Sequence, residues 1–269
     1  MGKKDGFGKY TWTDGSYYIG EWKDNKINFI DNPGLDDFVG GSITAYQVTD
    51  LTAMVVNSQN GVEVGTEIQG RHAARLNKPM IFIANHLDHD KANFEKTIEN
   101  LKERFGANVI VTQYPVETGT GFNSIIDIIT MKMYKYKAEG GLAEVTDIPA
   151  NEVDKAEELH NALIEKAAES DESLMEIFFE NETLTREELT RGISKGLIGR
   201  GMFPVFCISA KANMGVDRLL DFLANAAPTA AQMPAPLNSE DSEIKCDPNG
   251  PASIFVFKTS IEPHIGEVN

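Results

Sequence analysis

Three short polar clusters each close an apolar run, and their residue types suit recognition of a nucleotide. Asn85-His86-Leu87-Asp88 follows Pro79-Met80-Ile81-Phe82-Ile83-Ala84. Guanine presents N1–H and the N2 amine as adjacent donors, and one carboxylate, here Asp88, accepts both in a bidentate pair. Adenine lacks that donor pair, so an aspartate at this point selects guanine, while Asn85 fixes the loop and can hydrogen-bond the base. Ser209-Ala210-Lys211 follows Phe203-Pro204-Val205-Phe206-Cys207-Ile208. A tight turn there brings a backbone N–H toward guanine O6, and the aliphatic stem of Lys211 can cover the ring. Asp31-Asn32-Pro33-Gly34 follows Ile27-Asn28-Phe29-Ile30. A phosphate sensor needs an acid near Mg2+, here Asp31 acting through water, and a glycine, here Gly34, whose N–H can approach a terminal phosphate.

Each cluster also has a plainer reading. Asp88 or Asp90 can cap a helix that begins near residue 91. Asp31-x-x-Gly34 can be an ordinary strand-to-loop turn. What favours the joint reading is order and placement: three clusters, each at a strand end, where an open α/β sheet puts its ligand. Yet no G-x-x-x-x-G-K-[ST] phosphate-loop pattern occurs anywhere in the 269 residues.

The elements that must position these clusters alternate in type. Strands are expected at 26–31, 51–57, 80–84 and 203–209, with 51–57 buried, and helices at 36–47, 64–76, 91–105 and 216–226. Such alternation argues a parallel sheet with helices on both faces. Residues 107–201 break the rhythm, with strands expected at 108–114 and within 122–133 and helices at 152–169 and about 173–180. Thr185-Arg186-Glu187-Glu188 has the composition of a helix start. This block separates the second cluster from the third and reads as a subdomain inserted in the sheet. Residues 228–251 are polar and proline-bearing, a linker, and 252–260 form a β-prone run at which the chain looks cut just inside a β domain.

The first 25 residues are of another character, rich in glycine and aromatics. The pattern Gly6-x-Gly8-x-Tyr10-x-Trp12-x-Asp14-Gly15-x-x-Tyr18-x-Gly20-Glu21-Trp22 resembles one MORN repeat, with Asp14-Gly15 as the turn of a hairpin. Repeat units bury their apolar faces against neighbours, so a single copy is expected to pad the adjoining domain rather than to bind independently.

Composition excludes several classes. With 41 acidic against 25 basic residues the net charge is −16, which argues against non-specific DNA binding. Two cysteines far apart, Cys207 and Cys246, form no disulfide framework or metal pattern. No run is long and apolar enough to span a membrane, and the N-terminus is not a signal peptide, so a cytoplasmic location is expected.

From residue 26 onward the chain resembles bacterial elongation factor G, a translational GTPase. The three clusters correspond to that family's D-x-x-G, N-x-x-D and S-A-K elements. Gly121-Phe122-Asn123-Ser124-Ile125-Ile126-Asp127-Ile128-Ile129, Met131-Lys132-Met133, Arg200-Gly201-Met202-Phe203-Pro204-Val205 and Gly215-Val216-Asp217-Arg218-Leu219-Leu220 also fit its pattern, and Phe255-Val256-Phe257-Lys258 resembles the opening of its second, β-barrel domain. The resemblance implies GTP or GDP with Mg2+ as ligands, the ribosome as partner, and cofactor contacts from Asp31, Gly34, Asn85, Asp88, Ser209, Ala210 and Lys211.

The fold implied is α/β: an incomplete P-loop-GTPase-type doubly wound sheet with an inserted α+β subdomain, an N-terminal β-hairpin and the start of a β-barrel. The domains expected are 1–25, 26–227 with the insert at about 107–201, the linker 228–251, and 252–269. Three departures bear on activity. The family's D-T-P-G-H-x-D-F reads Asp31-Asn32-Pro33-Gly34-Leu35-Asp36-Asp37-Phe38 here, so Leu35 replaces the water-positioning histidine, and the usual N-K-x-D lysine is His86. The phosphate loop would fall before residue 26, and its strand lies mid-sheet in the family, between 26–31 and 51–57. Without it, marginal stability or a rearranged sheet is expected, with 17–22 pairing antiparallel to 26–31. Three readings of function remain open: a hydrolysis-deficient guanine-nucleotide-binding fragment, a non-catalytic module binding a partner through insert or hairpin, or a chimeric reading frame without evolved function.

Overall fold

The computed structural model describes residues 6–11, 17–22, 27–34, 38–247, 249–262 and 266–268. Leu35 and the Asp14-Gly15 turn lie outside the described residues.

The central element is a four-stranded parallel sheet in the order β3-β4-β10-β5, built from β3 Thr52–Asn57, β4 Met80–Asn85, β10 Phe203–Cys207 and β5 Val109–Val111. The two middle strands are apolar and buried along their length except at Asn85, as expected of strands covered on both faces. Helices lie on both sides. Phe82 of β4 packs on Phe105 of α3 (Phe94–Phe105), with ring centroids 4.7 Å apart. On the other face Phe206 of β10 packs on Phe222 of α7 (Val216–Ala226) at 4.4 Å. Both helices follow from spacing: α3 buries Phe94, Thr97, Ile98 and Leu101, and α7 buries Leu219, Phe222, Leu223 and Ala226. Each set is one helical stripe. Two further helices flank β3, α1 (Val39–Tyr46) and α2 (Val64–Arg75), joined by the Tyr46 hydroxyl donating to Gln69 Oε1 at 3.0 Å.

Between β5 and β10 the chain builds a second layer. The strand begun as β5 breaks at Thr112 and continues as β6 (Gln113–Pro115), which belongs to an antiparallel sheet with β7 (Ser124–Asp127), β8 (Lys132–Lys135) and β9 (Glu144–Thr146). Thr112 joins both sheets. Its N–H and its hydroxyl both donate to Val205 O, at 3.3 and 2.7 Å, while its own carbonyl accepts from Ile128 N at 2.9 Å. Helices α4 (Val153–Ala168), α5 (Glu172–Asn181) and α6 (Arg186–Ile198) come next. Thr185 and Glu188 form the capping box that starts α6.

Several expectations are corrected. Residues 27–34 form no strand, and Ile27, Phe29 and Ile30 are exposed, so Asp31-x-x-Gly34 does not end a strand. A β-prone run becomes a strand only beside a neighbour to pair with. Strand β2 (Tyr17–Trp22) pairs with β1 (Gly6–Thr11) and runs beside α7, rather than pairing with 26–31. The β-prone run toward the C-terminus also stays unpaired: 251–259 carry no strand, with Ile254, Phe255, Val256 and Phe257 exposed. A short pair lies just beyond it, β11 (Ser260–Glu262) with β12 (Gly266–Val268). No helix among the described residues is long and apolar enough to cross a membrane.

The sheet is not rearranged; instead β3 stands at its edge. Thr52 and Ser58 turn their N–H groups toward β4, donating to Pro79 O and Asn85 O. By the two-residue period, the backbone groups of 53, 55 and 57 face the other side, where no strand pairs among the described residues. The strand expected to be buried is therefore only half-buried, with Val55 60 % exposed. Such an edge is a template for association. Val55→Lys should lower concentration-dependent light scattering while moving the melting midpoint by no more than about 2 °C. A drop of many degrees would mean that this edge is covered in solution.

Candidate functional site

The parallel register sets the C-terminal ends of β4 and β10 side by side, pairing Phe82 with Val205, Ile83 with Phe206 and Ala84 with Cys207. The chain leaving β4 carries Asn85 to Asp88, and the chain leaving β10 carries Ser209 to Lys211. One hydrogen bond joins them: Ala210 N–H donates to Asn85 Oδ1 at 3.0 Å. Two of the three clusters are thus brought together as the sequence indicated.

The loop after β4 is tight. His86 adopts a left-handed backbone, φ +62°, and His89 N–H closes onto His86 O at 3.0 Å. Leu87 is fully buried and anchors the loop. The alternative role of Asp88 and Asp90 as helix caps is overturned, because α3 begins after Asn93, whose side chain accepts from Lys96 N at 2.9 Å. Asp88 is left with Oδ1 buried and without a hydrogen-bond partner. The residue as a whole is half-buried, and only this one of its two oxygens is enclosed without a donor from the chain. The position has the chemistry of an acceptor held ready for a ligand's N–H groups.

The loop after β10 is equally constrained. Ser209 is fully buried, exchanges backbone bonds with Met214 in both directions at 3.0 Å, and its Oγ accepts from Ala212 N at 3.2 Å. The turn closes through Asn213 at φ +52° and Gly215 at φ +81°, where a Cβ would stand 2.2 Å from Cys207 O. Ala210 and Lys211 are exposed. The Ala210 N–H is engaged by Asn85, so the amide left to face a base carbonyl is that of Lys211, for which no acceptor occurs among the described residues.

The third cluster stands apart. Asp31, Asn32, Pro33 and Gly34 line a cavity of about 290 Å³ with Tyr46, Thr49 and residues of β3 from Thr52 to Val55. None of residues 85–88 or 209–211 lines it. Asp31 is exposed, and no group of three or more His, Cys, Asp or Glu side chains is placed to hold a metal among the described residues. Asp31 can offer a hydrated Mg2+ one carboxylate.

Sequence reasoning missed two buried polar residues at this end of the sheet. Ser58 follows β3, is 2 % exposed, ties β3 to β4 and α3 through its backbone, and has an Oγ with no partner. Gln113, fully buried, accepts from Cys207 N at 3.2 Å and donates to Asp127 Oδ2 at 2.8 Å. No periodicity marks either one; both matter through contacts distant in sequence. Burial, then the Glu95 and Asp127 carboxylates, push the Cys207 thiol well above its ordinary range, which fits a core residue rather than a nucleophile.

The chain is similar to known proteins over most of its length. Residues 9–229 match the elongation factor Tu GTP binding domain family. Elongation factor G proteins from two strains of Ureaplasma parvum serovar 3 are each 33 % identical over 254 residues, which is 92 % of this chain and 37 % of theirs. The chain thus spans little more than a third of these relatives. A crystal structure of a Thermus thermophilus protein superposes with a TM-score of 0.72 over 98 % of this chain and 36 % of that one, at 22 % identity, which speaks to fold alone.

The link across the two loops is open to test. Asn85→Ala removes the acceptor of Ala210 N–H, at a cost of about 1 kcal/mol. Amide exchange at Ala210 should accelerate while exchange within β10 stays as it is. An unchanged Ala210 amide would show that Asn85 does not hold the second loop.

Proposed function

The chain belongs to the elongation factor Tu GTP-binding family, and from that premise we propose that it is a guanine-nucleotide-binding unit of an elongation factor G-like translational GTPase. The observation that carries the reading is the buried, unpartnered Oδ1 of Asp88 at the end of β4, beside a loop tied to the end of β10 by Asn85. Asp88 accepts N1–H and the N2 amine of guanine. Asn85 positions both loops, Ser209 and Ala210 shape the turn, and the Lys211 amide and stem serve O6 and the ring face.

The phosphate side is weaker. Asp31, through water to Mg2+, and Gly34 are the candidates, in a segment separate from the base loops. Phosphoryl transfer rests on positioning and charge neutralisation by a phosphate loop, its lysine and Mg2+. The 269 residues contain no phosphate-loop pattern, and Leu35 cannot hydrogen-bond an attacking water. We therefore propose GTP or GDP as ligands, Mg2+ as a loosely held companion, and little or no hydrolysis by this chain alone. A ribosomal partner and a cytoplasmic location come with the same reading. The lack of a phosphate-loop pattern and the leucine at position 35 favour one second reading, a pseudo-GTPase that engages a partner through the MORN-like hairpin or the block between β5 and β10.

Titration with a fluorescent GDP in Mg2+, competed by unlabelled GDP or ADP, tests the first reading. GDP should compete and ADP should not, and Asp88→Asn should weaken GDP by at least about tenfold, one bidentate charge-assisted contact. No binding at high micromolar nucleotide would sink the base site and leave the second reading.

GTP turnover is a separate matter. It should be undetectable in the same preparation, and turnover that disappears with Asp88→Asn would overturn the proposed hydrolytic deficiency.

A further inference from the structure

The loops that would recognise guanine are joined to each other by a single hydrogen bond, Ala210 N–H to Asn85 Oδ1. Bidentate recognition by a carboxylate needs its partners held to about 0.5 Å. One exposed hydrogen bond does not impose that tolerance on two loops carrying left-handed residues. Each loop also closes on itself, and further constraints on both come from one other part of the molecule.

The chain between β5 and β10 touches each loop separately. Gly119 N–H donates to Leu87 O at 2.8 Å, and the Thr118 hydroxyl donates to Ala92 O at 3.2 Å, fixing the loop that bears Asp88 from both ends. Gly141 N–H donates to Asn213 O at 3.0 Å, fixing the turn that bears Ser209 to Lys211. Gly140 lies flat against that turn: a Cβ there would stand 1.9 Å from Ala212 O and 3.0 Å from Asn213 O. All three glycines have left-handed backbones, φ +84° at 119, +70° at 140 and +96° at 141, which side chains rarely adopt. Beneath the second turn the same block supplies Gln113 to Cys207 N, and Ile125, whose Cδ1 lies 2.8 Å from where a Cβ on Gly215 would be. Tyr136 donates its hydroxyl to Asp217 Oδ1 at 2.7 Å, in the first turn of the next helix, α7.

We infer that the block between β5 and β10 is the mould of the base site, and that Gly119, Gly140 and Gly141 are positioning residues that set its preference for guanine. This rests on the base-site reading above. None of the three glycines lies in the base-recognising motifs. Each acts through a carbonyl of a loop that does: Leu87 and Asn213 as acceptors, Ala212 by close approach. Removing the brace lets Asp88 drift relative to the ring. A displaced carboxylate keeps one contact and loses the second, so the cost falls on the N2 amine. Hypoxanthine has guanine's N1–H and O6 without that amine, so the ratio of GDP to IDP affinity reads the brace directly. Loss of folded protein would lower both affinities alike and leave the ratio unchanged.

The test compares the full chain with Gly140→Ala, Gly141→Ala and Gly119→Ala, and with Gly106→Ala as a control. Gly106 also has a positive φ, +83°, with nothing within 4 Å of a Cβ built there, so its substitution strains the backbone without touching either loop. For each variant the GDP and IDP dissociation constants are measured, along with amide exchange over residues 86–92 and 209–214. The GDP preference should fall several-fold in Gly140→Ala and Gly119→Ala, less in Gly141→Ala, and not in Gly106→Ala. Exchange should accelerate in the loop facing each altered glycine. An equal fall in Gly106→Ala, or none in Gly140→Ala and Gly119→Ala, overturns the inference. If the unaltered chain binds neither nucleotide, the base-site reading itself fails. Faster loop exchange in the variants would then leave a purely structural brace and overturn its role in selectivity, and unchanged exchange would overturn the brace as well.

Discussion

The parallel pairing of β4 with β10 is the constraint on which the rest depends. These strands are adjacent in the sheet and more than a hundred residues apart in the chain. Their register, Ala84 opposite Cys207, puts Asn85 and the turn from Ser209 at the same height and within reach of each other. A slip of one residue would invert every side chain on the moved strand, sending Phe206 away from α7 and Phe203 away from Phe82. The core therefore holds the loops in register. Burial along nearly the whole of both strands makes the register specific, and the polar residues just beyond them inherit that specificity at no further cost.

The long excursion between β5 and β10 is built into the same frame rather than hung from it. Thr112 is the joint, with its N–H and hydroxyl committed to β10 and its carbonyl to the turn after β7. Breaking the strand there lets β6 twist away and seed an antiparallel sheet. Gln113, the next residue, faces inward and satisfies a β10 amide that would otherwise be buried unpaired. The polar contacts between the two sheets are thus few, buried and paired. The loop that joins β8 to β9 of the second sheet brings Gly140 close against the Ala212 carbonyl.

What was legible in the sequence was what local pattern decides. The strands at β4 and β10 showed as continuous apolar runs, α3 and α7 as the helices that follow them, and the start of α6 by the composition of Thr185 to Glu188. Asn85, Asp88 and Ser209 to Lys211 stood out as candidates because they follow such runs directly. The failures share a cause. Ile27 to Ile30 and Ile254 to Phe257 have strand composition but no strand beside them, and β propensity expresses fit to a neighbour. Leu51 to Asn57 looked buried because Val55 and Val56 are both apolar, yet only one face of β3 is covered. Gln113, Ser58, Gly119 and Gly140 left no local trace, since each matters through a partner set by tertiary register.

The loop after β4 is poorly explained by stability alone. His86 holds a left-handed backbone, at a cost of about 1–2 kcal/mol for a residue with a Cβ. Asp88 buries an oxygen without a donor two residues later. Neither cost is recovered by capping α3, because Asn93 already does that. An eight-residue link that served only to join a strand to a helix would place glycine or asparagine at the left-handed position and leave the acid in water or in a cap. Two unfavourable local choices in one short loop, beside the loop after β10, locate a demand that the fold does not make. That demand is what a ligand's paired N–H donors would meet.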